Sequence, residues 1–190
     1  MIGFFGGSFD PIHLGHLIVA RSAAEQLRLD AVRFVPARIQ PFKTDRQMAT
    51  PDHRLAMLEL ALADQPGFVV DDREIRREGT SYTIDTLREL SAELPQDQLC
   101  LLVGADAARE LPDWREARLI PELARIVVLT RPGVEVRLGE LPADVIEVPA
   151  VDISATEVRR RVRSGEPIQE LVPPAVADYI ESHGLYSTRD

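Results

Sequence analysis

Near its start the chain carries a stretch that few local structures can satisfy. Ile2 to Phe5 is a short apolar run; Gly6-Gly7 breaks it; Ser8, Asp10 and Pro11 follow; and a helical pattern runs from near Gly15 to about Leu27. Strand, glycine turn and helix N-terminus in this order aim backbone N–H groups and the helix dipole at one point, which is an anion site. Glycine lets the backbone approach a phosphate with no Cβ in the way. His13 and His16 lie three apart, so they share a face if the helix begins by residue 13. Two imidazoles above a phosphate cradle can hydrogen-bond a phosphoryl oxygen and take up charge that builds on it. A glycine turn with two incidental histidines would look the same residue by residue. However, the chain has only four histidines, and two of them stand at this turn. Neither the G-x-G-x-x-G fingerprint nor the Walker lysine motif is present, so another kind of phosphate cradle is indicated.

The rest of the chain alternates strand and helix signals. Ala31 to Pro36 reads as a second strand, which makes a right-handed parallel βαβ unit. Ligands in such sheets gather beyond the carboxyl ends of the strands, so residues 6–16 and 37–43 fall on one rim. The polar loop 37–51 offers Lys43 to an anion, whereas Arg46 reads as solvated surface. Thr50-Pro51-Asp52 opens a helix with Leu55, Leu58 and Leu62 on its apolar face, and His53 reads as a surface or capping residue. Phe68 to Ile75 is expected as a strand pair or a bent strand. Gly79 to Leu87 opens a helix with several candidate N-caps. Leu99 to Val103 is a continuous apolar run, as in a central strand covered on both faces, and ends at Gly104-Ala105-Asp106. A carboxylate there accepts ribose hydroxyls or caps the next helix. Leu111-Pro112-Asp113-Trp114 holds the single tryptophan. Arg125 to Leu129 and Val145 to Val148 are further strands, with Thr130-Arg131-Pro132-Gly133 between them. Ser154 with Glu157 three residues later reads as a capping box, and Pro173-Pro174 begins a closing helix to Ser182.

Gly6-Gly7-Ser8-Phe9-Asp10-Pro11 with His13-Leu14-Gly15-His16 resembles the GG(S/T)FDPxHxGH signature of the HxGH nucleotidyltransferases. Ser81-Tyr82-Thr83-Ile84-Asp85-Thr86, Leu111 to Trp114, and Ile153, Ser154, Thr156, Val158 and Arg159 narrow the resemblance to nicotinate-nucleotide adenylyltransferases. The resemblance implies an α/β fold: a Rossmann-like parallel sheet of five to six strands with helices on both faces. It implies a single nucleotidyltransferase domain over residues 1–190, with a small helical part from about 154. It also implies transfer of AMP from ATP to nicotinate mononucleotide, giving nicotinate adenine dinucleotide and pyrophosphate in NAD biosynthesis.

The site residues carry over with it. His13 and His16 are expected to be catalytic. Gly6, Gly7, Ser8, Phe9, Lys43, Gly104, Asp106, Ser154, Thr156 and Arg159 are expected at ATP. Tyr82, Thr83, Trp114 and Arg131 are expected at the mononucleotide. No residue is assigned to a metal, and Mg²⁺ is expected to arrive with ATP. The chain departs from the family pattern at Phe42, Ala117 and Ala155, where a histidine, a second aromatic and a second serine are common. Two other readings stay open: a catalytically silent nucleotide-binding or sensor module, and a nucleotidyltransferase for another phosphorylated acceptor.

Composition limits the partners. A formal net charge of −9 argues against nonspecific nucleic-acid binding. It leaves a local phosphate site possible, because salt screens charge beyond roughly ten ångströms. Basic residues near the site must then capture the anions. No apolar run is long enough for a membrane span and no secretory signal is evident, so a cytoplasmic protein without membrane partners is expected. The lone cysteine, Cys100, sits in an apolar run and reads as a small buried hydrophobe. A homodimer is left open.

Overall fold

The computed structural model describes residues 1–41, 49–134 and 141–187. Six strands run in chain order as β1 (Ile2–Gly7), β2 (Ala31–Pro36), β3 (Phe68–Val70), β4 (Leu99–Gly104), β5 (Arg125–Thr130) and β6 (Asp144–Glu147). They form one sheet in the order β3-β2-β1-β4-β5-β6, and every neighbouring pair is parallel. The helices are α1 (Leu14–Leu27), α2 (Pro51–Leu62), α3 (Arg73–Arg76), α4 (Thr83–Glu93), α5 (Ala105–Glu110), α6 (Ile120–Leu123), α7 (Ala155–Ser164) and α8 (Pro174–Ser182).

The period of two along each strand splits the core in two. Phe5, Phe34, Cys100, Leu102, Val127 and Leu129 face one side, where α1, α2, α7 and α8 cover them through Leu17, Met57, Leu58, Val158 and Val176. Phe4, Val35, Leu101, Val103, Ile126 and Val128 face the other, under Ile84, Leu87 and Leu90 of α4, Ala108 of α5 and Ile120 of α6. Burial on both faces explains why β4 and β5 read as unbroken apolar runs. Each fully buried Leu or Phe contributes roughly 1.5–3 kcal/mol, so the central strands are the firmest floor the chain can offer a site.

Two predicted elements came out differently. The segment from Phe68 is a strand only to Val70 and then turns into α3. The Asp71 carboxylate causes the turn, since its Oδ1 accepts from the Arg73 backbone N–H at 3.3 Å and from Arg73 Nε at 2.8 Å. At α7 the Ser154 hydroxyl accepts from the Glu157 N–H at 3.2 Å, as expected of an N-cap. The reciprocal half of the capping box gives way to side-chain pairs, because the Glu157 carboxylate meets Arg160 at 2.8 Å and Arg161 at 3.0 Å. Thr50 caps α2 by accepting from the His53 N–H at 3.3 Å.

The strand order reverses direction between β1 and β4. Open parallel sheets hold ligands in the crevice at such a switch point, beyond the carboxyl ends of the strands. Here those ends are Gly7 and Gly104, which places the early glycine turn and Gly104-Ala105-Asp106 on opposite lips of one crevice.

Candidate active site

Two adjoining cavities open at that crevice. The first, about 270 Å³, is lined by Ser8, Ala37, Glu74, Ser81, Tyr82, Thr83, Glu110, Trp114 and Arg115 among others. The second, about 570 Å³, is lined by Phe9, His13, Asp106, Arg109, Thr130, Arg131 and Ile153, with apolar walls from Leu129, Val148, Pro149 and Val151. Gly6, Gly7, His16, Gly104 and Ala107 line both. One imidazole therefore stands where two ligands would meet.

His13 occupies the N-cap of α1, one turn before His16, and the two rings stack with centroids 3.6 Å apart and planes 24° apart. The His13 backbone N–H donates to His16 Nδ1 at 3.3 Å. A neutral His16 therefore carries its proton on Nε2, as a donor. His13 is 7% exposed, and burial pulls its pKa from 6.5 down to about 4. It is neutral at pH 7 and offers a ligand a hydrogen bond rather than a charge. Gly15 makes this packing possible. A Cβ there would come within 3.0 Å of His13 Nδ1 and 3.4 Å of the Ile153 carbonyl oxygen.

The early turn is held from below by a group that the motifs do not include. Arg54 of α2 is 0% exposed. Its Nη1 donates to the carbonyls of Ser8 and Ala37, each at 2.7 Å, and its Nη2 to that of Arg38 at 3.2 Å. It thus ties the glycine turn to the loop after β2. Asp10 is a second hub. Its Oδ1 accepts from Tyr186 Oη at 2.6 Å and from the Ala49 N–H at 3.3 Å. Its carbonyl accepts from Arg159 Nη1 at 2.6 Å. Burial first, and then the Asp10 carboxylate, push the Tyr186 phenol pKa up, so Tyr186 stays a donor. Early and late chain segments thereby meet on one residue.

Ser81 joins the β2 loop to the α4 entry. Its hydroxyl accepts from the Arg38 N–H at 2.9 Å, and its own N–H donates to the Ile39 carbonyl at 2.9 Å. α4 begins at Thr83 with Tyr82 as an extended N-cap and no side-chain cap, although several hydroxyls stand nearby in sequence. Thr86 Oγ1 donates to the buried Glu74 carboxylate at 2.6 Å. Desolvation is the largest influence on Glu74 and raises its pKa.

The expected site residues divide as follows. Gly6, Gly7, His16 and Gly104 line both cavities; Ser8, Tyr82, Thr83 and Trp114 line the first; Phe9, His13 and Asp106 line the second. Arg131 lines the second cavity and not the first, where the sequence reading had grouped it with Tyr82, Thr83 and Trp114. The reason is topological, since it follows β5, the strand beyond β4 on the far side of the crevice from the α4 entry. Ser154, Thr156 and Arg159 line neither cavity directly. Their segment reaches the second through Val151 and Ile153. Arg159 Nη2 donates to Thr156 Oγ1 at 3.3 Å. Lys43 and Phe42 lie outside the described residues. Ala117 is buried in a short 3-10 turn and lines neither cavity, and Ala155 opens α7 just past the Ser154 cap.

Sequence reasoning missed Arg54, Ser81, Glu74, Arg115 and Tyr186. For Arg54 a signal existed: it sits at i with Met57, Leu58 and Ala61 at i+3, i+4 and i+7, a charge on the core stripe of a helix.

Comparison with known proteins gives the family and the fold. The cytidylyltransferase-like family model matches residues 4–161. A protein of Thermus thermophilus named "Probable nicotinate-nucleotide adenylyltransferase" is 48% identical, over 97% of this chain and 98% of its own length. A Roseiflexus protein of the same name is 50% identical, over 97% of each. Among solved structures, Plasmodium falciparum nicotinic acid mononucleotide adenylyltransferase complexed with APC superposes with a TM-score of 0.79 at 21% identity, covering 97% of this chain and 96% of that one. The same enzyme complexed with NaAD gives 0.78 at 21% identity over the same shares of the two chains. At that identity the structures speak for the fold.

Proposed function

This chain belongs to the nicotinate-nucleotide adenylyltransferases, and we propose that its two cavities take ATP and nicotinate mononucleotide and join them at His16. The observation that carries this reading is the shared lining, with Gly6, Gly7, His16, Gly104 and Ala107 facing both cavities. The first cavity, with Trp114, Tyr82 and Thr83, suits a flat pyridine ring and its substituent. The second suits adenosine and phosphates. It has an apolar wall, the Asp106 carboxylate for ribose hydroxyls, and Arg109 and Arg131 as local cations in a chain of net charge −9.

The 5′-phosphate of the mononucleotide attacks the α-phosphorus of ATP. A phosphate with a second pKa of about 6 is already anionic at pH 7, so no general base is needed. The work of the protein is alignment and stabilisation of added negative charge. His16 Nε2–H, set by the His13 N–H on the opposite nitrogen, donates to the α-phosphate as charge builds there. Neutral His13 donates to a neighbouring phosphate. Ser154, Thr156 and Arg159 receive the leaving β- and γ-phosphates, with Arg159 drawn from its present hold on the Asp10 carbonyl. Lys43 is proposed to assist at the same end. Mg²⁺ is proposed to enter as part of the ATP substrate, and would supply charge neutralisation for the pyrophosphate that Ser154, Thr156 and Arg159 receive. Among the described residues no group of three or more His, Cys, Asp or Glu is placed to hold a metal.

Incubating the purified protein with ATP, Mg²⁺ and nicotinate mononucleotide tests the reading. Equal yields of pyrophosphate and nicotinate adenine dinucleotide are expected. A folded protein that binds ATP but releases no pyrophosphate would be a silent module instead.

A further inference from the structure

The first cavity has a charge problem that the family motifs leave unaddressed. A pyridine ring seated by Trp114 and Tyr82 carries an anionic carboxylate in the acid mononucleotide and a neutral carboxamide in the amide. Two carboxyl groups, Glu74 and Glu110, line the same cavity. Among the described residues Arg115 is the only lysine or arginine lining it. Its guanidinium carbon lies 4.8 Å from the centroid of the Tyr82 ring, so the cation rests over the aromatic that forms the cavity wall. Its ion contacts are long, 3.4 Å to Asp85 and 3.8 Å to Glu116. Glu116 is meanwhile engaged by Arg88 at 2.6 Å. Arg115 is therefore half-exposed and next in sequence to Trp114, and it is held by one long hydrogen bond to Asp85 that an anion on the ring can replace.

We propose that Arg115 is a specificity-determining residue that selects the carboxylate form of the pyridine mononucleotide over the carboxamide form. The inference rests on the adenylyltransferase reading and deepens it. A guanidinium facing a carboxylate forms a charge-assisted pair, strengthened here because Trp114 and Tyr82 exclude water from one side. A carboxamide offers the same cation only a neutral oxygen. Its binding therefore draws little on Arg115 and depends on stacking.

Trp114 is the only tryptophan, so its fluorescence reports occupancy of this cavity without any turnover. The test titrates wild type, Arg115→Gln and Arg115→Lys with nicotinate mononucleotide and with nicotinamide mononucleotide, and measures kcat/KM for both in parallel. Arg115→Gln should weaken binding of the acid roughly tenfold or more and lower the acid-to-amide ratio of kcat/KM by a similar factor. Arg115→Lys should recover part of that ratio. Loss of binding to both mononucleotides alike, or a ratio within twofold of wild type in Arg115→Gln, would overturn the assignment. An absence of turnover in the wild type, with selective binding of the acid intact, would count against the transferase reading while leaving the role of Arg115 supported.

Discussion

At the scale of the residue, the two imidazoles divide by burial. His16 borders both cavities and has its Nδ1 fixed by a backbone donor. Replacing it with alanine should leave the fold intact and lower turnover roughly a hundredfold or more, the range for removing one transition-state donor. Matched circular dichroism and steady-state rates of pyrophosphate release check this, and near-wild-type turnover would reject the role. His13 makes a second prediction through pH. Its folded pKa of about 4 lies below the ordinary 6.5, so its contribution to stability is full above pH 6.5 and is lost as pH falls through about 4. Between pH 7 and 5 this one group should remove roughly 2 kcal/mol. Urea unfolding at the two pH values, in wild type and His13→Asn, should show that much less pH dependence in the variant.

At the scale of the element, α2 does more than cover the sheet. Arg54 sits on its core stripe and holds three carbonyls from the glycine turn and the β2 loop. Arg54→Met would keep the apolar stem but leave buried carbonyls without a donor, at a cost of about 3 kcal/mol or more. A drop in the urea midpoint with an unchanged slope checks it, whereas an unshifted midpoint would mean the loops stand without it. The elements themselves were largely legible, because period-two and continuous apolar runs mark β1, β2, β4 and β5, and Pro51, Ser154 and Pro174 mark helix starts. The Phe68–Ile75 segment was misread because Asp71 bonds the chain two residues on, and that local hydrogen bond outweighs the β-propensity of Phe68-Val69-Val70. At α4 the reading overvalued side-chain caps: the hydroxyl of Ser81 is engaged by the β2 loop and that of Thr86 by Glu74.

At the scale of the whole molecule, the crevice depends on contacts between distant parts of the chain. α7 and α8 share the core beneath α1 and α2, and Tyr186 reaches back to Asp10. Tyr186→Phe keeps the ring and removes the hydroxyl donor to a buried carboxylate. It should cost about 1–3 kcal/mol, read as a lower melting temperature, and a melting temperature equal to wild type would show that the tail is not a brace. Motifs show which residues belong to a site but not which wall they stand on. Arg131 illustrates this, since its motif grouped it with Tyr82, Thr83 and Trp114 whereas the strand order sets it in the wall of the second cavity. Residues that hold other residues, such as Arg54 and Tyr186, belong to no motif: Arg54 shows in the sequence only as a charge on the apolar stripe of α2, and Tyr186 becomes visible only when the chain folds. Among the described residues no helix is long and apolar enough to cross a membrane.

The central claim is that one imidazole stands where the two substrates are joined. A crystal structure with nicotinate adenine dinucleotide bound tests it most directly. In that complex the pyrophosphate bridge should lie within hydrogen-bond reach of His16 Nε2, the pyridine against Trp114, and the adenosine beside Asp106 and Arg131. A dinucleotide whose bridging phosphates lie out of reach of His16, or whose two halves share one cavity, would contradict it.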